Sequence, residues 1–202
     1  PEAPPVDVAL EHDLTDLFVR RRKGLRSAAE FVREHLDVVV KPLNEFSGHG
    51  IARYSTRDSD LDAESVGGLA TPEGRHVLVQ RFLPEVVNGD KRVFVVAGQP
   101  LGWVNRLPRA GSFRANIHQG ARVEATSLTK RDRELIDAFA PILAERGLEL
   151  AGFDFIGDYV TEINVTSPSA LRQINQVMGE RLERKLLDWL EERAARGVSV
   201  GA

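Results

Sequence analysis

Two carboxylates and an amide stand close together in the sequence where they could hold a cation. Asp154 lies in the run GFDFI, and Glu162 and Asn164 lie two residues apart in TEINV. If the turn between the two runs is centred on Asp158, antiparallel pairing places Asp154 directly opposite Glu162. Asn164 then lies on the same face of the hairpin, and the opposite face is wholly apolar.

This arrangement points either to a metal site or to an exposed polar surface. Two carboxylates directly opposite each other in a sheet repel and destabilise it unless their charge is offset. Carboxylate and amide oxygens are ligands suited to Mg²⁺ or Mn²⁺, and protein-bound magnesium is usually shared with substrate phosphates. The alternative is a solvent-exposed face, which is common on antiparallel sheets. From the residues alone the two interpretations carry about equal weight.

A nucleotide would also need groups that meet its phosphates. Lys41 lies near the end of the strand predicted over 37–42, next to Pro42, and could meet a phosphate. The residues by themselves favour a lysine that reaches water at the strand end. The small residues Gly48 and Gly50 would let backbone N–H groups approach phosphate oxygens. Neither GxxxxGK[ST] nor GxGxxG is present, so this is a weak signal.

Several arginines surround a second predicted hairpin. Arg92 begins one of its strands, Arg106 ends the other, and Arg109 and Arg114 lie in the loop that follows. A basic loop that contains glycine could close over phosphates. The alternative is an ordinary solvated surface loop.

Composition excludes several functions. The chain has 202 residues, a net charge of −3 and no cysteine, so disulfides and thiolate chemistry are excluded and nothing favours nucleic acid or a membrane as partner. No apolar run approaches the roughly 18 residues that span a bilayer. The five histidines lack metal-ligand spacing, and no hydrolase triad is visible. The Pro-rich, acidic start does not resemble a signal peptide, so we expect a cytoplasmic protein.

The pattern of elements predicts an α+β fold dominated by antiparallel sheet. We expect strands at 37–42, 51–55 and 76–84, and hairpins at 92–106 and 150–165. A capping box formed by Thr129 and Asp132 predicts the start of a helix. A single helix is expected over about 171–195, with residues as far along as Leu190 buried.

Three stretches resemble the C-terminal half of bacterial glutathione synthetase. They are GDKRVFVVAGQPLGWVNRLP (89–108), FRANIHQG (113–120) and GFDFIGDYVTEINVTSPSALRQI (152–174). KPL at 41–43 and QRFLPEV at 80–86 occur in the same order as in that family. The resemblance covers about residues 27–190.

The resemblance implies an ATP-grasp fold, in which two α+β subdomains with antiparallel sheets hold ATP between them. The expected organisation is a flexible lead-in at 1–26, a first subdomain at 27–84, a second at 85–195 and a tail at 196–202. The N-terminal domain of the family is expected to be largely missing. Two partner arrangements stay open: a homo-oligomer, or a separate chain that supplies the missing domain.

The resemblance also implies an ATP-dependent carbon–nitrogen ligase. Such an enzyme phosphorylates the cysteinyl carboxylate of γ-glutamylcysteine, and the amine of glycine then displaces phosphate to give glutathione and ADP. Two alternatives stay open. One is a related ligase with another carboxylate and amine. The other is a degenerate or partner-dependent module that binds nucleotide without turnover, which Glu45 and Ser47 favour because they stand where the family has glycine.

By the same resemblance, each candidate residue has an expected role. Two Mg²⁺ or Mn²⁺ ions would be held between the ATP phosphates by Asp154, Glu162 and Asn164. The nucleotide would be contacted by Lys41, Gly48, Gly50, Gln80, Arg81, Phe82, Leu83 and Asp90. The transferring phosphoryl group would face Arg92, Arg106 and Arg114, while Asn116 would belong to a covering loop and Ser167 to the acceptor pocket.

Overall fold

The structure is a computed structural model that describes residues 35, 37–42, 50–55, 77–117 and 120–198. The predicted lead-in, the positions of Gly48, Glu45 and Ser47, and residues 199–202 of the predicted tail lie outside the described residues. The chain divides into two compact units. The first is Pro1–Glu85 with Asn116–Gly120, and the second is Val86–Ala115 with Ala121–Ala202.

The first unit contains a three-stranded antiparallel sheet. Its strands are β1 (Asp37–Pro42), β2 (Ala52–Ser55) and β3 (Val77–Arg81), in the order β2-β1-β3. Alternation along the strands separates two faces. Val38, Val40 and Val79 are buried on one face. Lys41 and Gln80 lie on the other face, because Lys41 pairs with Leu78 two positions from Gln80.

The second unit contains a five-stranded antiparallel sheet in the order β6-β5-β4-β7-β8. Its strands are β4 (Asp90–Val96), β5 (Gln99–Leu107), β6 (Arg122–Glu124), β7 (Leu150–Ile156) and β8 (Tyr159–Asn164). Its helices are α1 (Lys130–Glu145), α2 (Leu171–Met178) and α3 (Leu182–Val198), and a short 3-10 helix spans Pro84–Asn88. The predicted α+β class is confirmed. No helix of the described residues is long and apolar enough to cross a membrane.

Helix α1 covers the apolar face of this sheet. Its predicted capping box is confirmed: the Thr129 hydroxyl accepts from the backbone N of Asp132, and the Asp132 carboxylate accepts from the backbone N of Thr129. The same carboxylate is paired with Lys91 of the central strand β4. Further along α1, Phe139 packs edge-on against Phe153, with ring centroids 6.0 Å apart. The helix is therefore anchored to the sheet at its start and in its middle.

The β7–β8 hairpin has the predicted register but a different turn. A two-residue turn at 157–158 replaces the turn that we expected to be centred on Asp158. Without a bulge, this turn would shift the pairing of β7 with β8 by one residue, and Asp154 would lie opposite Thr161. A β-bulge leaves Thr161 without an opposite residue, so Asp154 still pairs with Glu162. The pairing predicted from the apolar pattern is confirmed, and the predicted turn is wrong because a bulge cannot be read from alternation.

The single C-terminal helix that we expected is two helices. Gly179 adopts a φ of +69° and ends α2, and α3 begins three residues later. Leu182 is fully buried, but Leu190 is exposed, contrary to the expectation. The corner between the helices lies against Gly102 of β5, where a Cβ atom would be 2.2 Å from Cδ1 of Leu182 and 2.7 Å from Cγ2 of Ile174.

A Gly102→Ala substitution tests this close approach. Because both neighbouring side chains are fully buried, the added methyl group must displace packed atoms. We expect the free energy of unfolding to fall by about 1–3 kcal/mol, as measured by urea denaturation. Gln99→Ala, at an exposed position of the same strand, should change it by less than about 0.5 kcal/mol. Equal effects of the two substitutions would contradict the packing described.

Candidate functional site

Four charged side chains share one face of the five-stranded sheet. Arg92 pairs with Asp154 on β7, and Asp90 pairs with Arg106 on β5. Residues directly opposite each other point to the same side of a sheet, and residues two apart on a strand do so as well. The register therefore brings together two acids and two bases, which we call the charge cluster: Asp90, Arg92, Arg106 and Asp154.

The charge cluster is closely connected. Arg92 donates to both oxygens of Asp154, from Nε to Oδ1 at 2.5 Å and from Nη2 to Oδ2 at 2.8 Å. Nη2 of Arg106 lies 2.9 Å from Oδ1 of Asp154 and 2.7 Å from Oδ2 of Asp90. Arg92, Arg106 and Asp154 are each at most 5% exposed. Two positive and two negative charges thus balance in a buried position, as buried ions require.

Burial and neighbouring charges set the ionisation of this cluster. Burial by itself would raise the pKa of Asp154, but Arg106 and then Arg92 outweigh it and hold that pKa below the ordinary value. Burial raises the pKa of Asp90 from 3.8 to about 6, against the opposing effect of Arg106. Burial would lower the pKa of Arg106, but Asp154 and Asp90 reverse this and raise it. Asp154 and Arg106 are therefore both ionised at neutral pH.

The segment after β8 folds back onto the same face. Oδ1 of Asn164 accepts a hydrogen bond from the backbone N of Ser167 at 3.1 Å, and Nη1 of Arg92 donates to the backbone O of Ser169 at 3.4 Å. Ala170 follows with a φ of +86°, a left-handed conformation that is uncommon for a residue with a side chain. This segment is thus tied both to the predicted metal set and to the charge cluster.

The predicted metal ligands fit a hard cation by their chemistry. Asp154 and Glu162 are paired across the hairpin, and Asn164 lies on their face opposite Gly152. Glu162 is exposed, and its side chain has no hydrogen bond or ion pair with any described residue. Oδ1 of Asn164 accepts one hydrogen bond and retains a second lone pair. Among the described residues no group of three or more His, Cys, Asp or Glu could hold a metal ion. The predicted set is not such a group, because it contains two acids and an amide.

The structure places the predicted residues of the first unit on both faces of its sheet. Lys41 and Gln80 share one face, and Arg81 lies on the opposite face because it pairs with Val38. Phe82 follows β3, and its backbone N donates to the backbone O of Asp37 at 2.9 Å. Leu83 is buried, and Gly50 has a φ of +69°.

The loop between β5 and β6 is shared between the units. Arg114 belongs to the second unit, where its backbone N donates to Oγ of Ser112 and its guanidinium lies 5.8 Å from the centre of the Phe113 ring. Asn116 is grouped with the first unit.

Reasoning from the sequence missed two sets of contacts. Arg92 and Arg106, expected to face a phosphoryl group, are paired with Asp154, which was expected to hold a metal. A signal was present, because these charges stand in strands that are otherwise β-branched and apolar. It also missed Arg53, whose guanidinium pairs with Asp37. The roles expected for the candidate residues toward a ligand stay predictions.

The fold and the residues of this face define the class of protein. The chain has an ATP-grasp fold. It is similar in structure to the D-alanine–D-alanine ligase of Bacillus anthracis, with a TM-score of 0.64 and 16% sequence identity over 96% of this chain and 66% of that protein.

The particular family follows from sequence. Residues 16–179 match the ATP-grasp domain of prokaryotic glutathione synthetase, and the chain belongs to that family. It is 41% identical to a glutathione synthetase of Synechocystis over 172 residues, which are 85% of this chain and 52% of that protein. It is 39% identical to a glutathione synthetase of Pseudomonas aeruginosa over 180 residues, or 88% of this chain and 56% of that protein. The chain thus spans about half the length of these relatives.

Asp154→Asn tests whether the charge cluster stabilises the fold. The substitution leaves two buried guanidiniums without a full counter-charge, which typically costs about 3–5 kcal/mol of unfolding free energy. Urea denaturation at pH 7 measures the loss. Glu134→Gln, which removes an exposed partner of Lys130, should cost less than about 1 kcal/mol. A similarly small effect at Asp154 would show that the cluster does not depend on that carboxylate.

Asp90 should make stability depend on pH. Because its folded pKa of about 6 exceeds the unfolded value of 3.8, ionisation favours the unfolded chain as pH rises from about 4 through 6. We therefore expect the melting temperature of Asp90→Asn, measured relative to that of the unsubstituted protein, to rise as the pH rises through this interval. Thermal unfolding of both proteins from pH 4 to 8 measures the difference. A difference that does not change with pH would contradict the raised pKa.

Proposed function

We propose that the chain is the ATP-binding and catalytic part of an ATP-dependent carbon–nitrogen ligase of glutathione synthase type. The observation that carries the proposal is the charge cluster, which lies beside Glu162 and Asn164 on one sheet face in a member of this family. Its substrates would be ATP, γ-glutamylcysteine and glycine, all small molecules. A cytoplasmic location would accompany such chemistry.

The proposed reaction has two steps and needs no protein nucleophile. A carboxylate oxygen of γ-glutamylcysteine attacks the γ-phosphorus of ATP, the bond to ADP breaks, and an acyl phosphate forms. The amine nitrogen of glycine then attacks the acyl carbon, loses a proton, and displaces inorganic phosphate. Transfers of this kind depend mainly on positioning and on neutralising negative charge. That requirement matches a site built from cations and oxygen ligands.

Asp154, Glu162 and Asn164 would hold Mg²⁺ or Mn²⁺. When bound, such an ion neutralises phosphate charge and orients the phosphates. Glu162 is the ligand best placed to bind without disturbing the fold, because its carboxylate is exposed. Asp154 differs, because its oxygens already accept from two arginines.

The arginines would stabilise negative charge on the transferring group. Arg106 uses Nε toward the backbone O of Asp90 and Nη2 toward two carboxylates. Its Nη1 makes no hydrogen bond to a described residue and could donate to an anionic oxygen. The raised pKa of Arg106 keeps the guanidinium cationic during such a contact. Arg92 and Arg114 would assist it.

The remaining residues are proposed to surround the nucleotide and the acceptor. Lys41, Gly48 and Gly50 would lie toward the phosphates, and residues 80–83 along the adenine. Asp90 would lie toward the ribose, although the structure pairs it with Arg106. Asn116 would belong to the covering loop, and Ser167 to the acceptor pocket.

A titration followed by a turnover assay tests the proposal. The 202-residue chain is titrated calorimetrically with ATP, with and without Mg²⁺, and ADP release is then measured with γ-glutamylcysteine and glycine. We expect saturable magnesium-dependent binding and ADP release that requires both substrates. Binding without turnover would favour a nucleotide-binding module, or a ligase for another pair of substrates. A folded chain that binds no ATP would overturn the proposal.

Glu162→Gln separates metal binding from folding. The substitution removes one negative charge from an exposed side chain, so melting temperature should not change. Magnesium-dependent ATP affinity should fall about tenfold or more, since an oxygen ligand loses its charge. Glu191→Gln, which neutralises another exposed acid far along α3, serves as the control and should bind as before. Unchanged ATP binding by Glu162→Gln would reject the metal assignment.

A further inference from the structure

Three side chains of the first unit form a connected set, which we call the Arg53 clamp. Arg53 donates to Asp37 through two atoms, from Nε to Oδ1 at 2.8 Å and from Nη2 to Oδ2 at 2.5 Å. The centre of the same guanidinium lies 3.7 Å from the centroid of the Phe82 ring. A guanidinium held by two parallel hydrogen bonds has a fixed plane, and a fixed plane can stack on an aromatic ring.

The Arg53 clamp links β2, β1 and the residue that follows β3. Arg53 on β2 pairs with Val39 on β1, and Val39 pairs with Gln80 on β3. Arg53 and Gln80 therefore lie on the same face, which also carries Lys41. Asp37 begins β1, and its backbone O accepts from the backbone N of Phe82. One residue of β1 thus holds both the arginine and the backbone that follows β3.

Stability alone does not account for this arrangement. The Asp37 and Arg53 side chains are 31% and 41% exposed. An ion pair with that exposure contributes little to folding stability, because solvent screens the charges and two side chains must be ordered. What the contacts do restrict is the orientation of the Phe82 ring and the path of the chain from Gln80 onward. These are the residues that the proposed function puts along a nucleotide base.

We propose that Arg53 is a positioning residue that holds residues 80–83 in the conformation that receives a planar purine base. It acts through the ring of Phe82 and does not touch the phosphates. The assignment rests on the proposed function, since it concerns the same nucleotide. It adds Arg53 and Asp37, neither of which the sequence pattern singled out, to the residues that determine which base is bound.

Arg53→Met tests the assignment, because it keeps the length of the side chain and removes both the ion pair and the stacked cation. The chain is titrated with ATP, with GTP and with inorganic tripolyphosphate, all in the presence of Mg²⁺. We expect ATP affinity to fall by up to about fivefold, because the cation–π contact that orders the Phe82 ring is worth up to about 1 kcal/mol. The preference for ATP over GTP should narrow, and tripolyphosphate should bind as it does to the unsubstituted protein.

Further variants test whether the effect passes through the Phe82 ring. Phe82→Leu should lower ATP affinity by a similar factor, and combining it with Arg53→Met should add little, because both remove the same contact. Arg53→Lys keeps the charge without the planar group and should give an intermediate loss. Arg122→Met, which breaks an exposed pair with Glu124 in the second unit, should leave all three affinities unchanged.

The outcomes separate the possible roles of Arg53. Equal loss of ATP and tripolyphosphate affinity would show that Arg53 contacts phosphates, and would overturn the positioning role. A lower melting temperature with unchanged affinities would show a structural role only, and would also overturn it. If the unsubstituted chain bound tripolyphosphate but not ATP, or neither, the proposed function itself would fail. If it bound ATP and Arg53→Met bound equally well, the positioning assignment alone would fail.

Discussion

The buried pairing of Asp154 with two arginines is the constraint on which the second unit depends. It joins three neighbouring strands, β5, β4 and β7, through side chains that are almost wholly removed from water. Charges in that position are tolerated only if each meets its partner, so the register of all three strands must be correct together. A slip of one residue would turn Arg92 toward the apolar face that Phe153 occupies. The ion pairs of the cluster can therefore form only in this strand register.

Two glycines let the same sheet face hold both a packed helix corner and the charge cluster. Gly102 and Gly152 flank Phe94 on the neighbouring strands. At Gly152 a Cβ atom would lie 3.1 Å from Cβ of Pro168 and 3.2 Å from Nη1 of Arg92. The missing side chains allow the helices to cover one end of the face and the segment after β8 to reach Arg92. The polar cluster beside them is thereby removed from water, which strengthens its ion pairs.

Local pattern predicted much of the fold and part of the candidate site. Alternation of apolar and polar residues predicts the strands and the pairing of Asp154 with Glu162. A capping box, which involves only a few neighbouring residues, predicts the start of helix α1. The bulge at Thr161 does not, because it is visible only as a mismatch between turn and register. The break at Gly179 was also missed. A glycine inside an apolar helical pattern is often tolerated, and the contact of Leu182 with Gly102 lies 80 positions away in the sequence.

The sequence by itself determined which chemical groups are available and to which family the chain belongs. Carboxylates, an amide and arginines at particular positions made a nucleotide with a divalent metal one of two open interpretations, and the resemblance to a family favoured it. Only the tertiary structure decided which of these groups meet. It paired Arg92 and Arg106 with Asp154, and stacked Arg53 on Phe82. Such partners come from different strands, and their approach depends on sheet order, burial and the absence of side chains at specific glycines. No local pattern along the chain records these three-dimensional conditions.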